Sequence, residues 1–165
     1  MKTVIFTLWF LLAVSTAWAC EVQPLFSPYD NVEVAIHTQL KQASKSIHCS
    51  LYGITNQRLA DDLIIAKQRG ADIGIGLDKK QAAGKSDLHA KLQEAGILVE
   101  IKPKNILEHN KFCVIDAAKV VMGSWNWSSN AQKQDNSDVI ITDCPKATQA
   151  FEAAYQRIIE RDRPR

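Results

Sequence analysis

Residues 109–126 read HNKFCVIDAAKVVMGSWN, and this stretch predicts two β-strands joined by a short turn. Side chains alternate between the faces of a strand, so His109 and Lys111 share one face of the first strand. Ser124 and Asn126 share one face of the second strand. If the two polar faces meet, an imidazole, an ammonium, a hydroxyl and a carboxamide form a compact anion site that contains a nucleophile. Such a site is suited to a phosphate.

The remaining residues of this hairpin are predicted to be structural. Trp125 and Trp127 could stack on bases or touch a lipid interface, but their alternation opposes that of Ser124 and Asn126. This parity favours burial of both indoles against a helix. Asp116 lies at the turn, where we expect its backbone or side-chain hydrogen bonds to hold the hairpin.

The rest of the chain alternates between helical and strand patterns. Helices are predicted over residues 30–43, with Asp30 as N-cap, over 56–69 with Gly70 following, from 86 or 87 to 96, and after 143. Strands are predicted over residues 46–52, 73–78, 97–101 and 137–142. A strand-helix-strand order implies a parallel pair with a right-handed crossover. The predicted fold is therefore α/β, a mixed and mostly parallel sheet with helices on both faces.

The first residues have the features of an export signal. Lys2 precedes an apolar run, and Ala17-Trp18-Ala19 is a small-x-small cleavage site. We expect residues 1–19 to be removed and residues 20–165 to form one domain, in the periplasm or outside the cell. The apolar run is too short for a good membrane span, so no stable span is expected after cleavage. The alternative is a lipoprotein acylated on Cys20.

Four cysteines, all after the signal, permit two disulfides in an oxidising compartment. Three pairings are possible, and the sequence does not choose among them. Cys49 and Cys113 lie in predicted core strands, where a free buried thiol is the alternative.

The formal net charge is only +2, so nucleic-acid affinity would have to come from local clusters of cations. Lys79, Lys80 and Lys85 lie in a polar loop that either borders a groove for a phosphate backbone or is simply solvated. More cations follow at residues 102–104. No His or Cys pair has a recognised ligand spacing, so no metal and no cofactor is predicted. Gly74 and Gly76 lie within a strand, which excludes a phosphate-binding P-loop.

The spacing H-x-K-x4-D-x6-G-S-x-N over residues 109–126 resembles the HKD signature of the phospholipase D superfamily. Phe26-Ser27-Pro28, the strand-helix unit that ends at residues 66–72 and the amphipathic C-terminal helix are also similar to its small secreted, metal-independent nucleases. Those nucleases carry one such motif per chain. The resemblance covers essentially all of residues 20–165.

The resemblance implies roles for the motif residues. His109 is expected to be the nucleophile that forms a phosphohistidine, and Lys111 and Asn126 are expected to bind the phosphate, with Ser124 donating in the same site. Asp116 and Gly123 are expected to be structural. The family usually has a Glu after the G-S-x-N segment that orients the histidine. This sequence offers Asp138 instead, with Asp135 as the second choice.

Phosphodiester exchange in two steps needs a nucleophile and a general acid, yet one motif supplies one histidine. The family pairs two motifs, so a chain with one motif is expected to form a homodimer with the site at its interface. We predict a metal-independent endonuclease that hydrolyses DNA, or RNA. The alternatives are a phospholipase D acting on phosphatidyl head groups and an inactive nucleic-acid-binding module.

Overall fold

The computed structural model describes residues 20–103, 105–133 and 137–160; the predicted signal, Lys104 and Asp135 lie outside them. The strands are β1 (Val22–Ser27), β2 (Ser46–Leu51), β3 (Asp72–Leu77), β4 (Leu98–Ile101), β5 (Lys111–Ile115), β6 (Lys119–Gly123) and β7 (Ser137–Thr142). The helices are α1 (Val32–Gln42), α2 (Gln57–Gln68), α3 (Lys79–Ala82), α4 (His89–Glu94) and α5 (Pro145–Glu160).

The starts of the first three helices are set by side-chain caps. Asn31, not the predicted Asp30, caps α1 by accepting a bond of 3.2 Å from the amide of Val34. Asp30 instead accepts the amide of Phe26. Asn56 caps α2 as expected from its position. A short carboxamide acceptor satisfies an amide of the first turn that has no partner within the helix.

The sheet has the order β1-β7-β6-β5-β2-β3-β4. The predicted mixed sheet is confirmed, and β2, α2 and β3 form the expected parallel unit. The expected parallel majority is wrong, because only β2–β3 and β3–β4 are parallel, whereas the other four neighbouring pairs are antiparallel. The reason is that no α-helix is described between β4 and β7 to carry a parallel crossover, and that β1 is added at the edge as the antiparallel partner of β7.

Helices cover both faces of the sheet, as predicted. Cys113 and Ile115 of β5 belong to the larger core, which α1 and α2 cover. Phe112 and Val114 point to the other face, where Tyr155 and Ile159 of α5 pack on them. Two glycines of β3 lie beneath α5. A Cβ at Gly74 would collide with the hydroxyl of Tyr155, which explains why this strand carries glycine there.

The structure shows which cysteines pair, a question that the sequence left open. Cys49 and Cys113 are opposite each other in the antiparallel β2–β5 pair and are bonded, fully buried in the core. The bond ties the strand that carries Lys111 to its neighbour. Cys20 is bonded to Cys144 at the start of α5. The predicted disulfide content is confirmed, and a sulfur bonded to Cys144 is not available for the lipoprotein alternative.

Among the described residues, no helix is both long and apolar enough to cross a membrane.

Candidate functional site

The predicted site lies at the open end of the β5–β6 hairpin, opposite its turn. β5 starts at Lys111 and β6 ends at Gly123, so His109, Ser124 and Asn126 lie in the segments just outside the strands. The expectation that strand alternation places them is therefore corrected. The ladder contacts stop before these residues, and loop geometry then sets the direction of each side chain.

His109 is exposed and has an aromatic neighbour. Its ring centroid lies 4.6 Å from that of Tyr52, with the two planes at 73°. Its carbonyl accepts a bond of 2.7 Å from Nζ of Lys111. Within the described part of the chain, neither ring nitrogen of His109 is hydrogen-bonded to a carboxylate. The imidazole is therefore held by an edge-to-face contact and remains open to an incoming group.

The other three histidines differ from His109 in this respect. Each has Nδ1 within 2.9 Å of a carboxylate oxygen, in the pairs His37–Asp62, His48–Glu152 and His89–Asp87. His48 also stacks on Tyr155, with 4.6 Å between ring centroids. These contacts agree with the prediction that the three are structural.

Lys111 lies beside His109 and shares its aromatic neighbour. Its amine is 5.3 Å from the centroid of the Tyr52 ring, within the range of a cation–π contact. Partial burial lowers the pKa of Lys111 from its ordinary value, and the negative charge of Glu108 offsets part of that lowering. The site thus presents a cationic donor next to an exposed imidazole, the combination that binds and attacks a phosphodiester.

Ser124 and Asp138 form a closely bonded pair. The Ser124 hydroxyl donates to Oδ1 of Asp138 in a short bond, and the Asp138 amide donates back to that hydroxyl over 3.0 Å. The Ser124 amide reaches the carbonyl of Asp138, also over 3.0 Å. Among the described contacts the Asp138 carboxylate is bonded to Ser124 and not to the His109 ring, so its expected role in orienting His109 stays a prediction. Asp135, the second choice, lies outside the described residues.

Asn126 lies between Trp125 and Trp127 in the sequence. Trp125 and Trp127 are 1% and 2% exposed in the larger core, so their predicted burial is confirmed. The buried Oδ1 of Asn126 has no hydrogen-bond partner among the described residues, and the same holds for Nε1 of Trp125. Buried polar atoms are normally paired, so an unpaired carboxamide oxygen marks a group that is not committed to holding the fold.

Gly123 is required by a close approach of two strands. A Cβ at this position would collide with the carbonyl of Asp138 on β7. That carbonyl accepts the amides of both Ser124 and Trp125, over 3.0 and 3.2 Å. The structural role expected for Gly123 follows from this packing.

Asp116 lies at the other end of the hairpin. Its carboxylate accepts the amides of Ser44, Lys45 and Ser46 and the hydroxyl of Ser44, at 2.7 to 3.1 Å. It therefore holds the hairpin by tying it to the α1–β2 connection. Burial acts against the charged form, but these hydrogen bonds outweigh it and hold the pKa of Asp116 below its ordinary value.

Three residues of the site were not predicted: Tyr52, Asp78 and Glu108. Tyr52 follows β2, whose last residue, Leu51, pairs with Lys111. Glu108 and Asp78 are each 3% exposed, and the Glu108 amide donates to Oδ2 of Asp78 over 3.2 Å. Asp78 and Tyr52 each follow the carboxyl end of a strand, and this position in the sequence could have identified them as candidates for the site. Nothing in the sequence marks Glu108 except its place directly before the motif.

The cationic segments divide into exposed and buried lysines. Lys79, Lys80 and Lys85 are exposed, although α3 replaces the flexible loop predicted there. Lys102 is fully buried and donates to the carbonyl of Ile158, so its expected place on a cationic surface is wrong. Its alkyl chain fills space over β3, and its amine binds a carbonyl near the end of α5.

A groove of 610 Å³ adjoins the motif. Lys79 and Lys80 line one side, and Ile106 and Leu107 line the other. Leu107 is 69% exposed and lies two residues before His109. The groove thus offers both charge and apolar surface beside the segment that leads to His109.

Comparison with known proteins identifies the family. Residues 36–159 match the family model described as cardiolipin synthase, PLD-like domain. A protein named phospholipase D from Rickettsia prowazekii (strain Madrid E) is 30% identical over 139 residues, which are 84% of this chain and 68% of that relative.

Solved structures agree in fold. Nuc from Salmonella typhimurium, described as a phospholipase D family member, superposes with a TM-score of 0.77 at 24% identity, covering 84% of this chain and 93% of that one. NucT from Helicobacter pylori has a TM-score of 0.77 at 21% identity, covering 86% and 97%. At these identities the likeness shows a shared fold. Together with the family match over most of the chain, it establishes that this protein belongs to the phospholipase D superfamily.

Proposed function

We propose that this phosphodiester hydrolase is a metal-independent endonuclease that cleaves DNA, or RNA, through a phosphohistidine. One observation carries the proposal: His109 is exposed, free of a carboxylate among the described residues, and adjacent to the amine of Lys111. A neutral imidazole in that position can attack phosphorus while the ammonium binds a non-bridging oxygen. Ser124 and Asn126 flank the same end of the hairpin.

The chemistry proceeds in two displacements. A ring nitrogen of His109 forms a bond to phosphorus, and the bond from phosphorus to the leaving oxygen breaks as that oxygen takes a proton. Water then displaces the histidine from phosphorus. Lys111 and Asn126 stabilise the charge on the non-bridging oxygens in both transition states, the role that a metal plays elsewhere. No cofactor is needed in this scheme.

The proton for the leaving oxygen must come from a general acid. The three other histidines are engaged with carboxylates elsewhere, so the described part of one chain offers no second imidazole beside His109. We therefore propose a homodimer in which the partner's His109 is the acid. A two-fold axis near the open end of the hairpin would bring the two copies together.

Two observations bear on the substrate. Exposed Lys79 and Lys80, which line the groove beside the motif, favour a polyanionic backbone, and the fold is that of Nuc and NucT. Exposed Leu107 and the relative named phospholipase D favour a second candidate, hydrolysis of phosphatidyl head groups. A nuclease is the better fit because two exposed cations line this groove against one strongly exposed apolar side chain.

The predicted signal at residues 1–19 supports export to the periplasm or the medium. The two disulfides are what an oxidising compartment permits.

The deciding experiment offers plasmid, single-stranded DNA, RNA and phosphatidylcholine vesicles to the purified protein, each with excess chelator. We expect cleavage of nucleic acid to persist in chelator. Loss of cleavage that magnesium or zinc restores would refute the metal-independent mechanism. Release of choline without cleavage of nucleic acid would establish the second candidate in place of the first.

The shared site has its own test. Equal amounts of wild type and His109→Asn, refolded together, give about one quarter wild-type, one half mixed and one quarter mutant dimers. If each site needs both imidazoles, activity per wild-type chain falls to roughly half by the same pairing. Unchanged activity per wild-type chain, with mixing verified by tagged subunits, would show that each chain carries a complete site.

A further inference from the structure

Three backbone groups around His109 are hydrogen-bonded to side chains, although its ring is open. The amide of Glu108, before it, donates to Asp78 over 3.2 Å. The carbonyl of His109 accepts from the Lys111 amine over 2.7 Å. The amide of Asn110, after it, donates over 3.1 Å to the side chain of Glu108. Three consecutive residues outside any strand are thus fixed by side chains.

Glu108 is the centre of this arrangement. Its Oε1 accepts both the amide and, over 2.7 Å, the carboxamide Nδ2 of Asn110. The bond from the Asn110 amide to the Glu108 side chain closes a ring of atoms that includes the backbone of His109. Glu108 is 3% exposed, whereas His109 and Asn110 are exposed. A buried carboxylate is costly unless it is paired and hydrogen-bonded, and here the Asn110 donors and the Lys111 charge satisfy it.

Asp78 connects this segment to the cationic helix. Its Oδ1 accepts the amides of Lys80 and Gln81 over 2.9 and 3.1 Å and so caps α3. Its other oxygen holds the Glu108 amide. One buried carboxylate therefore fixes both the exposed lysines of α3 and the start of the motif segment, at the end of β3.

We propose that Glu108 is a positioning residue for the reaction: its buried carboxylate holds the Asn110 amide so that the His109 imidazole stands at a fixed distance from the scissile phosphorus. The inference rests on the proposed function and deepens it. A side chain misplaced by about 1 Å can lower the rate of a displacement by about 100-fold, so a rigid backbone under an exposed nucleophile has a direct catalytic effect.

The charge of Glu108 has a second, separable effect. It opposes the lowering of the Lys111 pKa that burial causes. Among the described residues, the Lys111 amine also lies over the ring of Tyr52 and donates to the backbone carbonyl of His109. Glu108→Gln keeps an oxygen that can accept from Asn110 but removes the charge. Glu108→Ala removes both, so the two variants separate geometry from charge.

The test measures kcat, KM and the pH profile with bis(p-nitrophenyl) phosphate for wild type, Glu108→Ala, Glu108→Gln and the control Glu94→Ala, an exposed glutamate of α4. We expect Glu108→Ala to lower kcat on the order of 10- to 100-fold with KM changed less than about 3-fold. Glu108→Gln should recover most of kcat. Its alkaline limb of kcat/KM should lie at lower pH, since the Lys111 pKa falls without the neighbouring charge. The control should match wild type.

A readout independent of activity is hydrogen exchange at the Asn110 amide. Protection should be lost in Glu108→Ala and retained in Glu108→Gln. A kcat of Glu108→Ala equal to that of wild type would overturn the proposal. So would an equal loss of kcat in Glu108→Ala and Glu108→Gln with no shift in the alkaline limb of the kcat/KM profile. A wild-type protein that cleaves no phosphodiester would refute the proposed function instead, and an Asn110 amide that exchanges equally in wild type and Glu108→Ala would then refute the anchor itself.

Discussion

The two ends of the β5–β6 hairpin use carboxylates in opposite ways. At the turn, Asp116 accepts four donors of residues 44–46 and leaves nothing for a ligand. At the open end, the described hydrogen bonds of the Glu108 and Asp138 carboxylates go to Asn110 and Ser124, while the His109 ring is exposed. The oxygen of Asn126 is unpaired among the described residues.

The difference between the two ends shows that the turn end stabilises the fold, whereas the open end carries the groups proposed for catalysis. The turn end commits its polar groups to the backbone, which lowers the free energy of the folded state. The open end commits carboxylates to the backbone but leaves the imidazole and one carboxamide oxygen uncommitted. Substitutions at the turn should therefore change unfolding, and substitutions at the open end should change turnover.

The largest effect is expected from His109→Asn. Removal of the nucleophile should lower kcat on the order of 10³-fold or more, as nucleophile removal does in other enzymes. Because the ring is exposed and its described contact is with the Tyr52 ring, the melting temperature should stay close to that of wild type. Phosphodiester turnover and thermal unfolding on the same preparation measure both. Substantial residual turnover would move the nucleophile to another residue.

Asp138→Ala should have the next largest effect. Without the carboxylate, the hydroxyl of Ser124 loses its acceptor and the segment that carries Asn126 loses a restraint. We expect kcat to fall on the order of 10- to 100-fold, the size of effect that follows a small displacement of catalytic groups. Asp143→Ala, which removes an exposed contact with the Glu21 amide at the far end of β7, is the matched control. Equal kinetics in the two variants would return Asp138 to a structural role.

Asp116→Asn should affect stability and not turnover. The carboxamide has one acceptor oxygen and no charge, so it cannot replace all the bonds to residues 44–46. The unfolding free energy should fall by about 2 kcal/mol, the scale of one hydrogen bond to a charged group. Urea unfolding measures the loss, and kcat should remain near that of wild type. A fall in kcat in the folded variant would contradict the separation of the two ends.

The same variant predicts a pH dependence. The pKa of Asp116 is lowered in the folded protein, so its contribution is fully present above the ordinary carboxyl pKa of about 3.9. The contribution is lost as the pH falls through the lowered value. The stability difference between wild type and Asp116→Asn should thus be constant near neutral pH and shrink below about pH 4. A difference that grows in acid would have the wrong sign.

The smallest effect is expected at Ala117 of the turn. Its φ is +50°, in the left-handed region that residues with a Cβ rarely adopt. Ala117→Gly should relieve this strain and raise the unfolding free energy by up to about 1 kcal/mol, less the extra entropy of glycine in the unfolded chain. Urea unfolding at neutral pH tests it. A loss of stability would mean that the entropy term dominates.

Much of the fold was predictable because local patterns agree with it. The hairpin, the burial of Trp125 and Trp127 and the parallel β2–β3 unit follow from alternation and element order. Edge strand β1 was missed because its pairing with β7 depends on residues more than a hundred positions away. Lys102 was expected at the surface because its burial beside Ile158 depends on how α5 crosses the sheet.

The candidate site divides in the same way. The motif spacing predicted His109, Lys111, Ser124 and Asn126 as one group, because the hairpin that carries them is local in sequence. Tyr52, Asp78 and Glu108 were missed, and Asp138 was assigned to a different partner. Their roles depend on which strand ends meet, and residue spacing within one hairpin contains no information about the neighbouring strands.

By itself, the sequence determined the residue types and their order along the hairpin, and it predicted export for a four-cysteine chain. The tertiary structure alone decided the disulfide partners, the pairing of Ser124 with Asp138 and the anchor of Glu108 on Asp78. The physical reason is the range of the interactions. Alternation and turn chemistry act over a few residues, whereas each of these contacts joins segments that lie beside each other only after the sheet has assembled.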